Sequence, residues 1–181
     1  MLLLRVQAGS HLYGYATATS DDDYFEVHTH PFMIPTRDEP RQVRQTIVDG
    51  VDTIQMTLSH FVERAAAGSH QALDAMFAAN PETDLLGGFR TSYRAGTDVI
   101  PSYIRIITKF AVQGGHRKQR HALRAMLNLH DIMDTGRYTP ELTAEQIQFL
   151  DDHASLPSPE FMKFLISETR VSLSETFQQM R

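Results

Sequence analysis

An α+β domain is what this chain predicts, and three observations carry the prediction. Short β-favouring runs occupy the stretch up to Met56, an Asp49-Gly50 pair sits between two of them, and from Leu58 onward apolar residues recur at helical spacing. Strands come first and helices follow. That order suits a short mixed sheet packed by helices, with a helical part towards the C-terminus.

Taken in order, residues 2–8 (Leu-Leu-Leu-Arg-Val-Gln-Ala) read as a buried strand stopped by Gly9-Ser10, and residues 10–15 as a short helix or turn. A strand follows over 23–28, where Tyr24, Phe25 and Val27 favour β structure. Pro31, Pro35 and Pro40 make 28–41 a loop or irregular excursion. Residues 43–48 and 51–56 flank Asp-Gly, the favoured two-residue hairpin turn. Asp52 then stands near the start of a strand that can lie beside 23–28.

Leu58, Phe61, Val62 and Ala65 form the apolar face of a helix ended by Gly68. Ser69 is placed to cap the next helix, which buries Leu73, Met76 and Phe77 and stops at Asn80-Pro81. Residues 83–94 make a weaker helix broken by Gly87-Gly88. Residues 101–112 make a better one, with Ile104, Ile107 and Phe110 inward. Residues 117–135 are strongly amphipathic and stop at Gly136, and 143–153 and 158–179 complete the helical part, the last introduced by Ser-Pro-Glu.

Composition narrows the possibilities. The 181 residues carry 22% charged and 41% hydrophobic side chains, ordinary for a globular protein, and suffice for a real core. Without cysteine there is no disulfide framework, thiolate zinc site or cysteine nucleophile. Met1-Leu2-Leu3-Leu4 is too short for a signal-peptide core, and no apolar run approaches the ~20 residues that span a bilayer. The expected location is therefore cytoplasmic, with no membrane partner. A net charge of −5 argues against a protein that coats nucleic acid. Yet no acid lies between Asp98 and Asp131, while Arg105, Lys109, Arg117, Lys118, Arg120 and Arg124 do, so this segment reads as a local anion site.

The chemistry concentrates near the N-terminus. A strand stopped by Gly9-Ser10 offers backbone N–H groups and a hydroxyl suited to a triphosphate. Asp21 and Asp23, alternate residues of an extended segment, project from one face. Such hard oxygen ligands suit Mg²⁺ that also holds substrate phosphates. Asp22 turns away and reads as solvated or structural. Tyr13 either packs the turn with Gly14 or stacks on a base. Further along, Arg117, Arg120, His121 and Arg124 share a helix face that is either solvated or an anion contact.

Gly9-Ser10-x-x-Tyr13-Gly14 followed by Thr19-Ser20-Asp21-x-Asp23 resembles the DNA polymerase β-like nucleotidyltransferase superfamily, most closely its RNA-repair-pathway group. The resemblance runs from about Leu2 to Phe164. It implies a minimal palm, assigned to 1–80, with a helical part over 81–181 packed on it. It also implies transfer of a nucleoside monophosphate from an NTP to a hydroxyl by two Mg²⁺ ions, with Mn²⁺ as a possible substitute. Asp52 is the match for the third carboxylate, so Asp21, Asp23 and Asp52 become the expected catalytic metal ligands. Gly9, Ser10, Lys118, His121 and Arg124 become the expected nucleotide contacts. An RNA end is the acceptor the resemblance points to. A protein hydroxyl, a small molecule, or an inactive nucleotide-binding or assembly protein are the alternatives. Tyr24-Phe25-Glu26 stands where that group carries a hydrophobe and then Arg-Gly, a difference that bears on the acceptor.

Overall fold

Leu4, Val6, Phe25, Val27 and Met56 come from three different strands, and all are buried on one face of one sheet. The computed structural model describes residues 1–34 and 37–179, so Pro35 of the expected excursion lies outside the described residues. The chain divides into two units, Met1–Tyr93 with Thr139–Leu142 and Arg94–Tyr138 with Thr143–Arg181.

The first unit opens with β1 (Leu2–Gln7), the one-turn helix α1 (Gly9–Leu12) and β2 (Asp23–His28). Next come β3 (Phe32–Ile34), β4 (Arg37–Arg41), β5 (Val43–Val48) and β6 (Val51–Thr57). The helices α2 (Leu58–Ala66) and α3 (His70–Phe77), the short β7 (Thr83–Asp84) and α4 (Gly87–Ser92) finish it. Strand order among the described residues is β5-β6-β2-β1-β7, with β2 and β6 parallel and the other neighbours antiparallel. The fold class is α+β with a mixed sheet.

The hairpin that sets the register of β6 is the one Asp49-Gly50 announces. Asp49 and Gly50 have φ of 51° and 82°, so both turn residues are left-handed, and the turn's twist matches that of the strands it joins. Thr57 caps α2 by accepting from the His60 amide, and Phe61 of α2 sets its ring 5.8 Å from that of Phe25. This contact closes the core over the helix-covered face. Leu73 and Met76 of α3 are fully buried as well.

Several expectations need correction. Residues 28–41 are not an irregular excursion, since β3 and β4 pair antiparallel as a separate two-stranded ribbon. Both strands of such a ribbon are edges, so Pro40 can lack its N–H without breaking a ladder. Residues 83–94 are not one helix broken by Gly87-Gly88. Thr83 and Asp84 pair with Arg5 and Leu4 to complete the outer edge of β1, and α4 begins at Gly87. An open backbone edge on β1 outweighs weak helical periodicity there. Ser69 does stand at the N-cap of α3, but its side chain makes no capping hydrogen bond.

The second unit is helical. A 3-10 turn (Thr97–Val99) leads into α5 (Ile100–Gln113), followed by α6 (His116–Thr135), α7 (Ala144–Ala154) and α8 (Ser158–Gln179). The buried stripe of α5 is Tyr103, Ile107 and Ala111; the expected inward set Ile104-Ile107-Phe110 centres on the same Ile107, but its flanking Ile104 and Phe110 are only half-buried. Tyr103 decides this orientation: it is fully buried and its hydroxyl bonds that of Tyr138 at 3.3 Å. Thr143 and Gln146 form a reciprocal capping box at the start of α7, with distances of 3.2 and 2.9 Å. Among the described residues no helix is long and apolar enough to cross a membrane.

Candidate active site

Asp23 and Asp52 are register partners across the parallel strands β2 and β6. Partners in a parallel ladder point to the same side, here the face that carries Phe25, Val27 and Met56. Both carboxylates are half-buried at the head of that face, where the apolar core ends. The ladder continues one residue further, for the Asp52 amide donates to the Asp22 carbonyl at 3.1 Å.

Gly9 completes the arrangement from β1. The Ala8 amide donates to the Asp23 carbonyl at 2.7 Å, so the chain turns into α1 directly beside the Asp23 side chain. Gly9 has φ +61°, and any β-carbon there would run into Oδ2 of Asp23 and lie 3.3 Å from its Cγ. Glycine is thus required twice, for its backbone angle and for the space the carboxylate occupies. Ser10 follows, half-buried in the same turn. The turn is anchored from below by Tyr13, which is buried and donates its hydroxyl to the buried Asp74 at 2.7 Å. Of the two readings of Tyr13, packing is the one observed.

Asp21 sits differently from the expectation. The strand begins at Asp23, and Asp21 lies in the exposed segment before it, so strand alternation does not set its direction. Ser20 takes part in a local turn there, accepting from the Thr17 amide at 2.8 Å. Asp22 is not merely solvated: it accepts from Gln7 Nε2 at 3.3 Å, and His11 Nε2 stands 3.5 Å from the same oxygen.

The fit to a divalent cation can be judged from these donors. Among the described residues no three His, Asp or Glu side chains converge on a point that could hold an ion. Mg²⁺ does not require a trio, because it is commonly held by one or two carboxylates together with substrate phosphates and water. The Asp23–Asp52 pair, with hard oxygen donors on adjacent strands and the Asp23 carboxylate seated against Gly9, fits that mode.

Two residues escaped the sequence reading. Gln45 of β5 donates its Nε2 to both oxygens of Asp52, at 3.0 and 2.7 Å. The signal was present: a two-residue turn pairs Ile47 with Asp52, which puts Gln45 diagonal to Asp52 on the same face. Glu26 is the second. It is buried on the opposite, polar face of the sheet, where Arg5 (3.1 Å), His28 (2.9 Å) and Gln55 (2.7 Å) converge on it. Burial pushes the Glu26 carboxyl up. The hydrogen bonds from Gln55 and His28 and the charges of His28 and Arg5 outweigh that push and hold it below its ordinary value. Its partners come from β1, β2 and β6, so Glu26 ties three strands together.

The remaining expected contacts belong to the second unit and have surroundings of their own. Lys118 is exposed with its ammonium 5.3 Å over the Phe110 ring, and His121 lies 5.2 Å from that ring. Arg124 is buried, and desolvation lowers its pKa to about 10 against a smaller raising effect from Tyr138. Their helix is not the acid-free surface its local sequence suggests. Asp151 of α7 stands 3.2 Å from Arg120 Nε and 3.9 Å from His116 Nε2. Comparison with protein-family models and with curated proteins gives no match to this chain.

Proposed function

We propose that the head of the first unit is the active site of a metal-dependent nucleotidyltransferase, moving a nucleoside monophosphate from an NTP to a hydroxyl acceptor. The observation that carries the reading is the Asp23–Asp52 pair, side by side on parallel strands with the Asp23 carboxylate seated against Gly9. Asp23 and Asp52 would hold Mg²⁺ or Mn²⁺, which neutralises phosphate charge and acidifies an attacking hydroxyl when bound. Gly9 and Ser10 would meet the phosphates through backbone N–H groups and the Ser10 hydroxyl. Asp52 would serve as the base for the acceptor hydroxyl, the role the resemblance gives the third carboxylate. Asp21, exposed just before β2, completes the expected set of carboxylates and would join when substrate brings the metal in.

The basic residues divide under this reading. Lys118 is exposed and open to an anion; His121, half-buried against Phe110, is less so. Arg124 is closed off and suits a structural role. An RNA end is the first acceptor to test, supported by the motif resemblance alone.

The test is incubation with each labelled NTP, Mg²⁺ or Mn²⁺, and separate RNA and protein acceptors, for the wild type and for Asp23→Asn and Asp52→Asn. Transfer of label that both substitutions abolish, with circular dichroism unchanged, is the expected result. NTP binding without transfer to any acceptor would instead support a nucleotide-binding protein that has lost turnover.

A further inference from the structure

The contact between Gln45 and Asp52 has an unusual shape. One amide nitrogen lies within hydrogen-bond distance of both carboxylate oxygens, 3.0 Å from Oδ1 and 2.7 Å from Oδ2. A donor astride both oxygens fills the seat that a cation chelated by that carboxylate would take. Gln45 reaches this position from an edge strand. Its β5 neighbours towards the turn, Ile47 and Val48, are largely exposed at 71% and 63%. No apolar core locks the amide in place.

Resting on the nucleotidyltransferase reading, we propose that Gln45 is a place-holder for the cation at Asp52. In the metal-free protein its amide satisfies the Asp52 carboxylate and blunts repulsion between Asp52 and Asp23, which like charges on adjacent strands would otherwise feel. When a divalent cation arrives, the amide swings out and the ion takes the seat. Gln45 therefore competes with the cation and sets its affinity. It is a positioning residue, acting through Asp52, and it never needs to touch the nucleotide.

The consequence runs against the usual effect of deleting a residue near a metal site. Losing a supporting hydrogen bond normally weakens metal binding. Losing a competitor strengthens it. Gln45→Leu keeps the size of the side chain and removes the donor; Gln45→Asn keeps the amide but is one methylene too short to reach. Both should bind Mn²⁺ more tightly than the wild type, by roughly threefold to tenfold. That is the range expected when an ordinary solvent-exposed hydrogen bond no longer has to be broken, taking about 1.4 kcal/mol per factor of ten.

The experiment is Mn²⁺ titration of the full chain followed by electron paramagnetic resonance, without nucleotide, for the wild type, Gln45→Leu, Gln45→Asn and Asp52→Asn. Melting curves with and without Mn²⁺ check that each variant folds. Tighter binding in both Gln45 variants, abolished by Asp52→Asn, is the expected outcome. Affinity that stays the same or falls in the Gln45 variants, while Asp52→Asn still abolishes binding, overturns the place-holder role and leaves the enzymatic reading standing. No Mn²⁺ binding by the wild type, or binding indifferent to Asp52→Asn, removes the nucleotide-free cation seat and overturns the place-holder role; the enzymatic reading, in which substrate phosphates help hold the ion, stands or falls on the label-transfer assay.

Discussion

Replacing Gly9 by alanine asks two questions of one methyl group. The backbone at Gly9 has φ +61°, and holding a residue with a β-carbon there costs about 2 kcal/mol. The methyl would also meet the Asp23 carboxylate, with Cγ 3.3 Å and Cβ 3.5 Å away and Oδ2 in direct collision. Pushing that side chain off its rotamer adds about 1 kcal/mol. A loss of about 3 kcal/mol should lower the melting temperature by roughly 6–12 °C in a chain of this length.

A double-mutant cycle separates the two contributions. In an Asp23→Ala background the carboxylate is gone, and only the Cβ at an ordinary van der Waals distance remains. Gly9→Ala should then cost only its backbone share, about 2 kcal/mol. The coupling of about 1 kcal/mol can be read from thermal melts of the four proteins. Costs that add to within about 0.4 kcal/mol would show that the carboxylate does not rest against Gly9, and the geometry on which the site is built would be wrong.

Three other outcomes are expected. Tyr13→Phe removes the donor from buried Asp74 and should cost about 2 kcal/mol in urea unfolding; a change under about 0.5 kcal/mol would mean that the contact does not anchor the turn. The Glu26 carboxyl is held below its ordinary 4.5 in the folded protein, so its contribution is complete above that pH and fades as pH falls through the lower folded value. The stability gap between wild type and Glu26→Gln, about 2 kcal/mol at pH 7, should therefore shrink at pH 3, and a pH-independent gap would contradict the network. Arg124→Met should lower the melting temperature while Lys118→Ala leaves it in place; the reverse pattern would exchange their roles.

What the sequence disclosed and what it withheld follow from the range of the interactions involved. The Asp49-Gly50 hairpin was legible because two adjacent residues with positive φ fix it, and it carried Asp52 to its place beside Asp23. Gly9 was legible as a stop, but the collision with Asp23 that makes it indispensable joins residues from two strands. Asp22 looked idle because its partners, Gln7 and His11, lie upstream on other elements. The buried face of α5 centres on Ile107 as its pattern predicts, but its flanks are Tyr103 and Ala111, because Tyr103, with its bond to Tyr138, outweighs the aliphatic pattern. The basic face of α6 seemed to lack acids because Asp151 is supplied from α7. Asp21 was given a strand's alternation although the ladder begins only after it.

The short return of residues 139–142 has a consequence for how this chain can change. The chain leaves the second unit at Tyr138, lends four residues to the first, and re-enters at Thr143. Leu142 donates to the Tyr13 carbonyl at 3.3 Å, and Glu141 accepts from the Ala79 amide at 3.1 Å. A recombination event with a single breakpoint after Tyr93 would carry those bonds away with the helices. A first unit cut there would lack a strap encoded far downstream, so any transplant of the sheet and its turn has to bring residues 139–142 with it.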